Sequence, residues 1–166
     1  TIGSSTGIVG GVSAGVVNIT YMLATGCLIS TTITVNALPA AIGGTLYTCE
    51  GSTTTLTDAT GGGTWSSSNT GQATVVGGTG VVTGFSTGTP NITYTLGTGC
   101  YAVQQITVNP NPASIAGNAG VCLGSTTTLT DGTAGGSWSS SNAAIASVNP
   151  TTGVVTGVAL GNATIT

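Results

Sequence analysis

The sequence predicts an all-β protein made of tandem copies of one small β-sandwich, and three observations support that fold class. Thr, Val, Ile and Tyr, which favour pleated and half-buried surfaces, recur throughout the chain, and its 29 glycines favour tight turns. Trp65 and Trp138 are the only tryptophans and lie 73 positions apart (138 − 65). Strand signals return about every 8–12 residues, which is the spacing typical of sandwich proteins.

A 73-residue period runs through the whole chain without an insertion or deletion. The tryptophan segment and its flanks recur in one register, and the first 36 residues match the second half of the next repeat. A fixed period of this kind predicts an array in which each repeat is one small domain. The recurring segments include GTWSSSN at 63–69 and GSWSSSN at 136–142, CEGSTTTLTD at 49–58 and CLGSTTTLTD at 122–131, NITY at 18–21 and 91–94, and ITVN at 33–36 and 106–109.

Two proline-bearing stretches, NALP at 36–39 and NPNP at 109–112, are the expected joints between repeats. Proline cannot donate to a strand ladder, and it stiffens a short linker. We therefore predict the C-terminal half of a repeat at 1–36, a complete repeat at 37–109 and the N-terminal part of the next repeat at 110–166.

The complete repeat contains signals for about seven strands. Alternation places Ile92, Tyr94 and Leu96 on one face of one strand, and it turns Ile106 and Val108 inward from the last strand. Glycine-rich turns separate these segments. The predicted strands are a loose first strand at 40–48, then 52–57, 64–67, 72–76, 81–83, 91–96 and 101–108.

The string GGTWSSSNTGQATVVGGTGVVTG and its copy GGSWSSSNAAIASVNPTTGVVTG resemble the bacterial immunoglobulin-like domains of group 2. Domains of that family carry a Trp-Ser-Ser-Asn-like strand, an Ala-x-Val strand, a Gly-Val-Val-Thr-Gly segment and an Ala-Thr-Ile strand. The Cys-x-Gly-Ser-Thr opening and the Thr-Gly-Cys hairpin look like repeats of large secreted surface proteins of Bacteroidota. The resemblance implies tandem immunoglobulin-like sandwiches that serve as a stalk, an adhesin or a fibre, and not an enzyme.

The charge composition and the lengths of the apolar runs argue against two classes of partner. The chain has no Lys, Arg or His and a formal net charge of −3. Nucleic-acid binding depends on Lys and Arg, so no nucleic-acid partner is expected. No apolar run approaches the ~18 residues of a membrane-spanning helix, so we expect no membrane insertion.

No residue set supports catalysis or a cofactor. General acid–base chemistry needs His or a pair of carboxylates, and the two aspartates, Asp58 and Asp131, occupy one position in successive repeats. The plainer interpretation is that each accepts hydrogen bonds in a turn. A weak Ca²⁺ site is the alternative, but calcium takes about 6–8 oxygen ligands, so we predict no metal site.

Aromatic residues and sequons give three further candidate features. Trp65 and Trp138 are predicted to be core tryptophans, with a sugar-stacking platform as the alternative. Tyr47 and Tyr101 do not repeat, and they are the only hints of a ligand patch. Three Asn-x-Thr sequons make N-glycosylation possible, at Asn18, Asn91 and Asn162.

The four cysteines fall into two classes by their position in the repeat, Cys27 with Cys100 and Cys49 with Cys122. No histidine or Cys-x-x-Cys motif accompanies them, and such a pattern is typical of oxidised extracellular proteins. Pairing within one repeat joins Cys49 to Cys100, and pairing across a joint joins Cys27 to Cys49 and Cys100 to Cys122. Immunoglobulin topology makes both awkward, because Cys49 and Cys100 fall at opposite ends of a sandwich. Staples between neighbouring domains or neighbouring chains stay open as the alternative.

The sequence favours a structural protein, an extracellular fibre or surface stalk whose partners are adjacent repeats or copies of itself. Sheet proteins guard their edges with charges or proline, and this chain has few of either to use. Its ends suggest head-to-tail or strand-complementing assembly, in which one chain's start completes another chain's end. An adhesin or glycan-binding module is the alternative function, and an enzyme has no residue support.

Overall fold

The computed structural model describes residues 1–166 and contains β-strands and turns without a helix. The chain divides into two compact units, Thr1–Pro110 and Asn111–Thr166. The strands of the first unit are β1 Gly15–Met22, β2 Leu28–Val35, β3 Gly43–Gly44, β4 Tyr47–Cys49, β5 Thr53–Thr57, β6 Gly63–Ser67, β7 Ala73–Val75, β8 Val81–Gly84, β9 Asn91–Leu96, β10 Tyr101–Gln105 and β11 Thr107–Asn109. Those of the second unit are β12 Thr126–Thr128, β13 Ala146–Val148 and β14 Val154–Gly157.

Residues 37–109 form a β-sandwich. One antiparallel sheet has the order β3-β5-β8-β7, and another has the order β10-β9-β6. Strand β11 adds a short parallel pairing with β4. The all-β prediction is confirmed. Within this sandwich only β7–β8 and β9–β10 are hairpins, and the pairings β5–β8 and β6–β9 join strands separated by two others in the chain.

The core lies between these sheets and takes its side chains from both. Leu56 and Val82 come from one sheet, Ile92 comes from the other, and each is fully buried. Ile106 and Val108 close the same cluster from the last strand, on the inward face that alternation predicts. The remaining buried members are Ile42, Trp65, Ala73 and Tyr94.

Two predicted strands are interrupted in the structure. The expected strand at 40–48 is split into β3 and β4, because Gly44 has a φ of 112° that a continuous strand does not permit. The expected strand at 101–108 breaks at Ile106. The Ile106 amide donates to the carbonyl of Pro90 (3.1 Å), and the strand then exchanges β9 for β4 as its partner.

Strands β1 and β2 form a hairpin in the register of β9 and β10. Tyr21 pairs with Ile29 in the first hairpin, and its equivalent Tyr94 pairs with Ala102 in the second. Every pair of the second hairpin is matched by a pair 73 positions earlier in the first. Equivalent positions in successive repeats therefore pair in the same strand register. The β1–β2 hairpin nevertheless forms a two-stranded sheet by itself.

The second unit reproduces the first half of the sandwich. Its sheet has the order β12-β14-β13, and Thr127 pairs with Val155 as Thr54 pairs with Val82. The sharp turn before β14 repeats as well, since Gly153 has a φ of 70° and its equivalent Gly80 has a φ of 72°. The equivalents of β10 and β11 fall at positions beyond 166.

Candidate functional site

The tryptophan of the complete repeat is a core residue with a specific aromatic partner. Trp65 is 9% exposed and packs on Tyr94, with ring centroids 4.7 Å apart and ring planes at 47°. The Tyr94 hydroxyl accepts the amide of Gly63 (2.8 Å) and donates to the carbonyl of Thr60 (2.6 Å). The hydroxyl of the buried Tyr94 is therefore satisfied both as acceptor and as donor. Because the Trp65 ring is buried against Tyr94, it offers no open face on which a sugar could stack.

Trp138 has the same local backbone but lacks the aromatic partner. Its amide donates to Pro150, as that of Trp65 donates to Gly77, each at 2.9 Å. Its side chain is only half-buried. A cavity of about 730 Å³ lies against its ring instead, lined also by Ile115, Leu129 and Thr166.

A second cavity of about 240 Å³ opens on the same unit. Residues 118–121 and 159–163 line its rim, and Leu129, Ile145 and Val155 form its apolar floor. In the complete repeat the equivalent space holds β11, which lies beside β4 and buries Val108. We call residues 111–166, with these two cavities, the open sandwich.

The β1–β2 hairpin carries the apolar face that the open sandwich lacks. Val17, Ile19, Tyr21, Ile33 and Val35 share one face by register, and no second sheet is paired with the hairpin. Tyr21 is 68% exposed, whereas its equivalent in the complete repeat is 6% exposed. We call β1 and β2 the donor hairpin.

The four cysteines are all free thiols in this structure, and neither the Cys49–Cys100 pairing nor the pairing of Cys27 with Cys49 and Cys100 with Cys122 is present in it. Cys27 and Cys100 follow the turns of the two hairpins, and we call them the hairpin cysteines. Cys49 and Cys122 precede the Gly-Ser-Thr segment of their repeats, and we call them the repeat-start cysteines.

The two aspartates occupy equivalent turns. Asp58 Oδ1 accepts the amide of Thr60 at 2.7 Å, and Asp131 Oδ1 accepts the amide of Thr133 at 2.6 Å. Each threonine hydroxyl then accepts a backbone amide 20 residues earlier, from Ala40 and Ala113 respectively, at 2.9 Å. The aspartates thus fix a turn, and no group of three or more His, Cys, Asp or Glu side chains converges on a metal-sized site.

The sequon asparagines and the non-repeating tyrosines all lie on the surface. Asn18 and Asn91 are exposed strand residues, and Asn162 is exposed ahead of the last residues of the chain. Tyr47 and Tyr101 are 62% and 60% exposed. Tyr47 pairs with Thr107, which is six residues along the chain from Tyr101, or about 20 Å of extended chain at ~3.3 Å per residue. This separation argues against one shared platform.

The sequence alone did not point to Asn36 and Asn109 as contact points of the cysteines. The Cys100 Sγ lies 3.9 Å from the carbonyl oxygen of Asn36, and Cys49 pairs with Asn109 in the parallel β4–β11 ladder. The available signal was the 73-residue spacing between the two asparagines. No helix in the structure has the length and apolar character needed to cross a membrane.

Comparison with known proteins supports the fold resemblance. Residues 102–166 match the family model of the bacterial Ig-like domain (group 2). Among solved structures, domains 4 and 5 of the S-layer protein SbsC are similar at 21% identity and a TM-score of 0.42, over 78% of this chain and 92% of that one. A longer SbsC segment, rSbsC(31-844), aligns at 20% identity and a TM-score of 0.43, over 97% of this chain and 34% of that one. No curated protein sequence matches.

Proposed function

We propose that this chain is a structural subunit of an extracellular fibre or surface stalk, in which copies associate head to tail through the donor hairpin and the open sandwich. One observation carries the proposal. The donor hairpin has the strand register of β9 and β10, and its first strand repeats the NITY segment of β9. No hairpin of this register is paired with the strands of the open sandwich. The group 2 immunoglobulin-like match over residues 102–166 supports a structural role at the cell surface rather than a catalytic one.

The proposed contact begins at the strand edge beside Trp138. In the complete repeat, β6 pairs with β9 so that Trp65 lies opposite Tyr94. The same pairing between two copies sets Tyr21 of the donor opposite Trp138 of the acceptor. An exposed phenol then fills the larger cavity of the open sandwich and recreates the buried aromatic pair.

The second contact fills the smaller cavity. Donor residues 34–36 are the equivalents of β11, and acceptor residues 120–122 are the equivalents of β4. Parallel pairing between these two segments places the side chain of donor Val35 against Leu129 and Val155 in the smaller cavity of the acceptor. In the complete repeat the equivalent Val108 is 2% exposed, which measures how fully this position can be buried.

The chain's own last residues compete for part of this edge. Ser139 exchanges two backbone hydrogen bonds with Thr166, at 2.8 and 2.9 Å, and Ser140 pairs with Ile165. Donor β1 replaces these residues in the assembly. The exchange is favourable because the eight-residue strand brings a second paired strand and a continuous apolar face with it.

Charge favours association of this chain with itself. A net charge of −3 over 166 residues produces little repulsion between copies, and no lysine guards a strand edge. Burial of the hairpin face removes exposed apolar side chains such as Tyr21, Ile29 and Val17 from water. Coverage by a second copy therefore accounts for both the low charge of the chain and the exposed apolar face of the hairpin.

Electron microscopy and light scattering of the purified chain test the proposal. We expect filaments with a regular axial repeat and a molar mass that rises with concentration above the 15.7 kDa subunit. Monodisperse monomers at every concentration would overturn it. A denatured, reduced mass far above 15.7 kDa in native material would show that one polypeptide carries successive repeats, which would overturn assembly from separate subunits.

An adhesin or glycan-binding module is the second candidate, because Tyr47 and Tyr101 are exposed and do not repeat. Their separation weighs against a shared sugar platform. A glycan array checks this function directly. Binding that is lost in both Tyr47→Ala and Tyr101→Ala would favour it over a purely structural role, and an array without signal would remove it.

A further inference from the structure

The hairpin cysteine of the complete repeat lies against the joint that precedes that repeat. Cys100 follows the turn between β9 and β10, and its Sγ is 3.9 Å from the carbonyl oxygen of Asn36. Asn36 is the residue directly after β2, where the donor hairpin ends. One end of the sandwich therefore presents a half-buried thiol to the preceding joint.

The repeat-start cysteine lies against the joint at the other end. Cys49 pairs with Asn109 at the end of β11, and the next amide, that of Glu50, donates to the Asn109 carbonyl at 3.0 Å. Asn36 and Asn109 are equivalent residues, 73 positions apart. One thiol is seen at each joint asparagine: at Asn36 it belongs to the repeat that begins there, and at Asn109 it belongs to the repeat that ends there. Superposing the two equivalent joints brings the two classes of cysteine to the same asparagine.

We infer that the repeat-start cysteine of one repeat forms a disulfide with the hairpin cysteine of the next repeat. The inference rests on the proposed head-to-tail assembly. Between two copies it gives two bonds, one from acceptor Cys122 to donor Cys100 and one from acceptor Cys49 to donor Cys27. All four cysteines of an interior subunit are then paired, and each interface is closed covalently at two points.

The acceptor Cys122 bond follows directly from the contacts in hand. Donor Asn36 takes the position of Asn109 beside acceptor Cys122, as Asn109 lies beside Cys49 in the complete repeat. Donor Cys100 already lies at Asn36. Cys122 is exposed in the single chain, as expected for a thiol whose partner belongs to a second copy.

Pairing inside one repeat is excluded by length. Cys100 lies at the start of β10 and Cys49 lies opposite the end of β11, with nine residues of nearly extended chain between those ends. At ~3.3 Å per residue these ends are about 30 Å apart, whereas a disulfide needs Cα atoms within about 7 Å.

The bond forms by thiol–disulfide exchange with a small-molecule disulfide such as oxidised glutathione. One protein thiolate attacks that disulfide, forms a mixed disulfide and releases one glutathione. The second protein thiolate then displaces the other glutathione. Two thiols of the protein lose two protons and two electrons, and one glutathione disulfide is reduced to two glutathiones.

Non-reducing gel electrophoresis after assembly with oxidised glutathione tests the inference. Wild-type chains should run as a ladder of covalent multimers that collapses to one band on reduction. The double variant Cys49→Ser with Cys122→Ser should lose the ladder, because one substitution removes the bond to donor Cys27 and the other removes the bond to donor Cys100. The matched control, Cys27→Ser with Cys49→Ser, removes both cysteines of a single bond. The other bond remains, so the ladder should persist.

Mass spectrometry identifies the pairs and their origin. Pepsin serves for digestion because trypsin has no site in a chain without Lys or Arg. In a mixture of ¹⁴N and ¹⁵N chains assembled together, the linked Cys27–Cys49 and Cys100–Cys122 peptides should include species that carry both labels. Complete absence of mixed-label peptides, or a Cys49–Cys100 peptide, would overturn the inference.

Electron microscopy of the same sample under reduction separates the two proposals. Filaments without a ladder in the oxidised sample would leave the assembly standing and overturn the disulfides. Absence of both filaments and ladder would overturn both.

Discussion

The rings of Trp65 and Tyr94 pack with centroids 4.7 Å apart across the β6–β9 pairing. Trp138 occupies the same backbone position in the next repeat and is only half-buried, and Tyr21, the counterpart of Tyr94 in the β1–β2 hairpin, is exposed. The aromatic pair is therefore formed only within residues 37–109. It bears on the stability of that repeat, and it is the contact that the proposed association would reproduce between two chains.

The Tyr94 hydroxyl is expected to contribute to the stability of the complete repeat. Tyr94→Phe leaves the Gly63 amide and the Thr60 carbonyl without their partner, which costs about 1–3 kcal/mol. Denaturant unfolding followed by the fluorescence of Trp65, in a Trp138→Phe background, measures the change. The matched control is Tyr47→Phe, whose exposed hydroxyl should matter little, and equal stability of the two variants would contradict the role of Tyr94.

The turn between β7 and β8 requires glycine at position 80. Gly80 has a φ of 72°, and a Cβ there would clash with the carbonyl oxygen of Leu56 and contact the Trp65 indole. Gly80→Ala should destabilise the repeat by more than about 1 kcal/mol. Gly78→Ala in the same loop meets no atom within 4 Å and serves as the control. A thermal melt in which both variants behave alike would contradict this assignment.

The Asp58 turn is expected to depend on its acceptor oxygen rather than on its charge. Asp58→Ala removes the bond from the Thr60 amide and should cost about 1 kcal/mol, whereas Asp58→Asn keeps an oxygen in that place. Thermal unfolding with and without millimolar Ca²⁺ also tests the alternative that this turn binds calcium. A calcium-dependent rise in Tm that disappears in Asp58→Asn would support that alternative.

Assembly is expected to depend on one face of the donor hairpin. Tyr21→Ala removes the ring that faces acceptor Trp138, so the concentration needed for assembly should rise roughly tenfold or more, as expected when truncation of a packed aromatic costs over about 1.4 kcal/mol. Met22→Ala changes the adjacent, equally exposed residue on the opposite face and should leave assembly unchanged. Light scattering across a dilution series measures both, and equal shifts would indicate a different interface.

The strand positions could be predicted from the sequence because burial repeats with period two. Ile92, Tyr94, Ile106 and Val108 were expected to face inward and lie in the core. The breaks at Gly44 and Ile106 could not be predicted. Whether a strand continues or exchanges its partner depends on which neighbour accepts its next amide, and a partner such as Pro90 is distant in sequence.

The sequence by itself determined the fold class, the 73-residue period, the lack of cationic side chains and the two classes of cysteine, because these depend only on residue type and spacing. The tertiary structure decided what those features mean in space. It put Cys100 beside Asn36 and Cys49 beside Asn109, left Trp138 next to an unfilled cavity, and exposed Tyr21 on a preformed hairpin. Such proximities arise only when strands far apart in sequence pair in a definite register, so that equivalent residues in successive repeats acquire different neighbours.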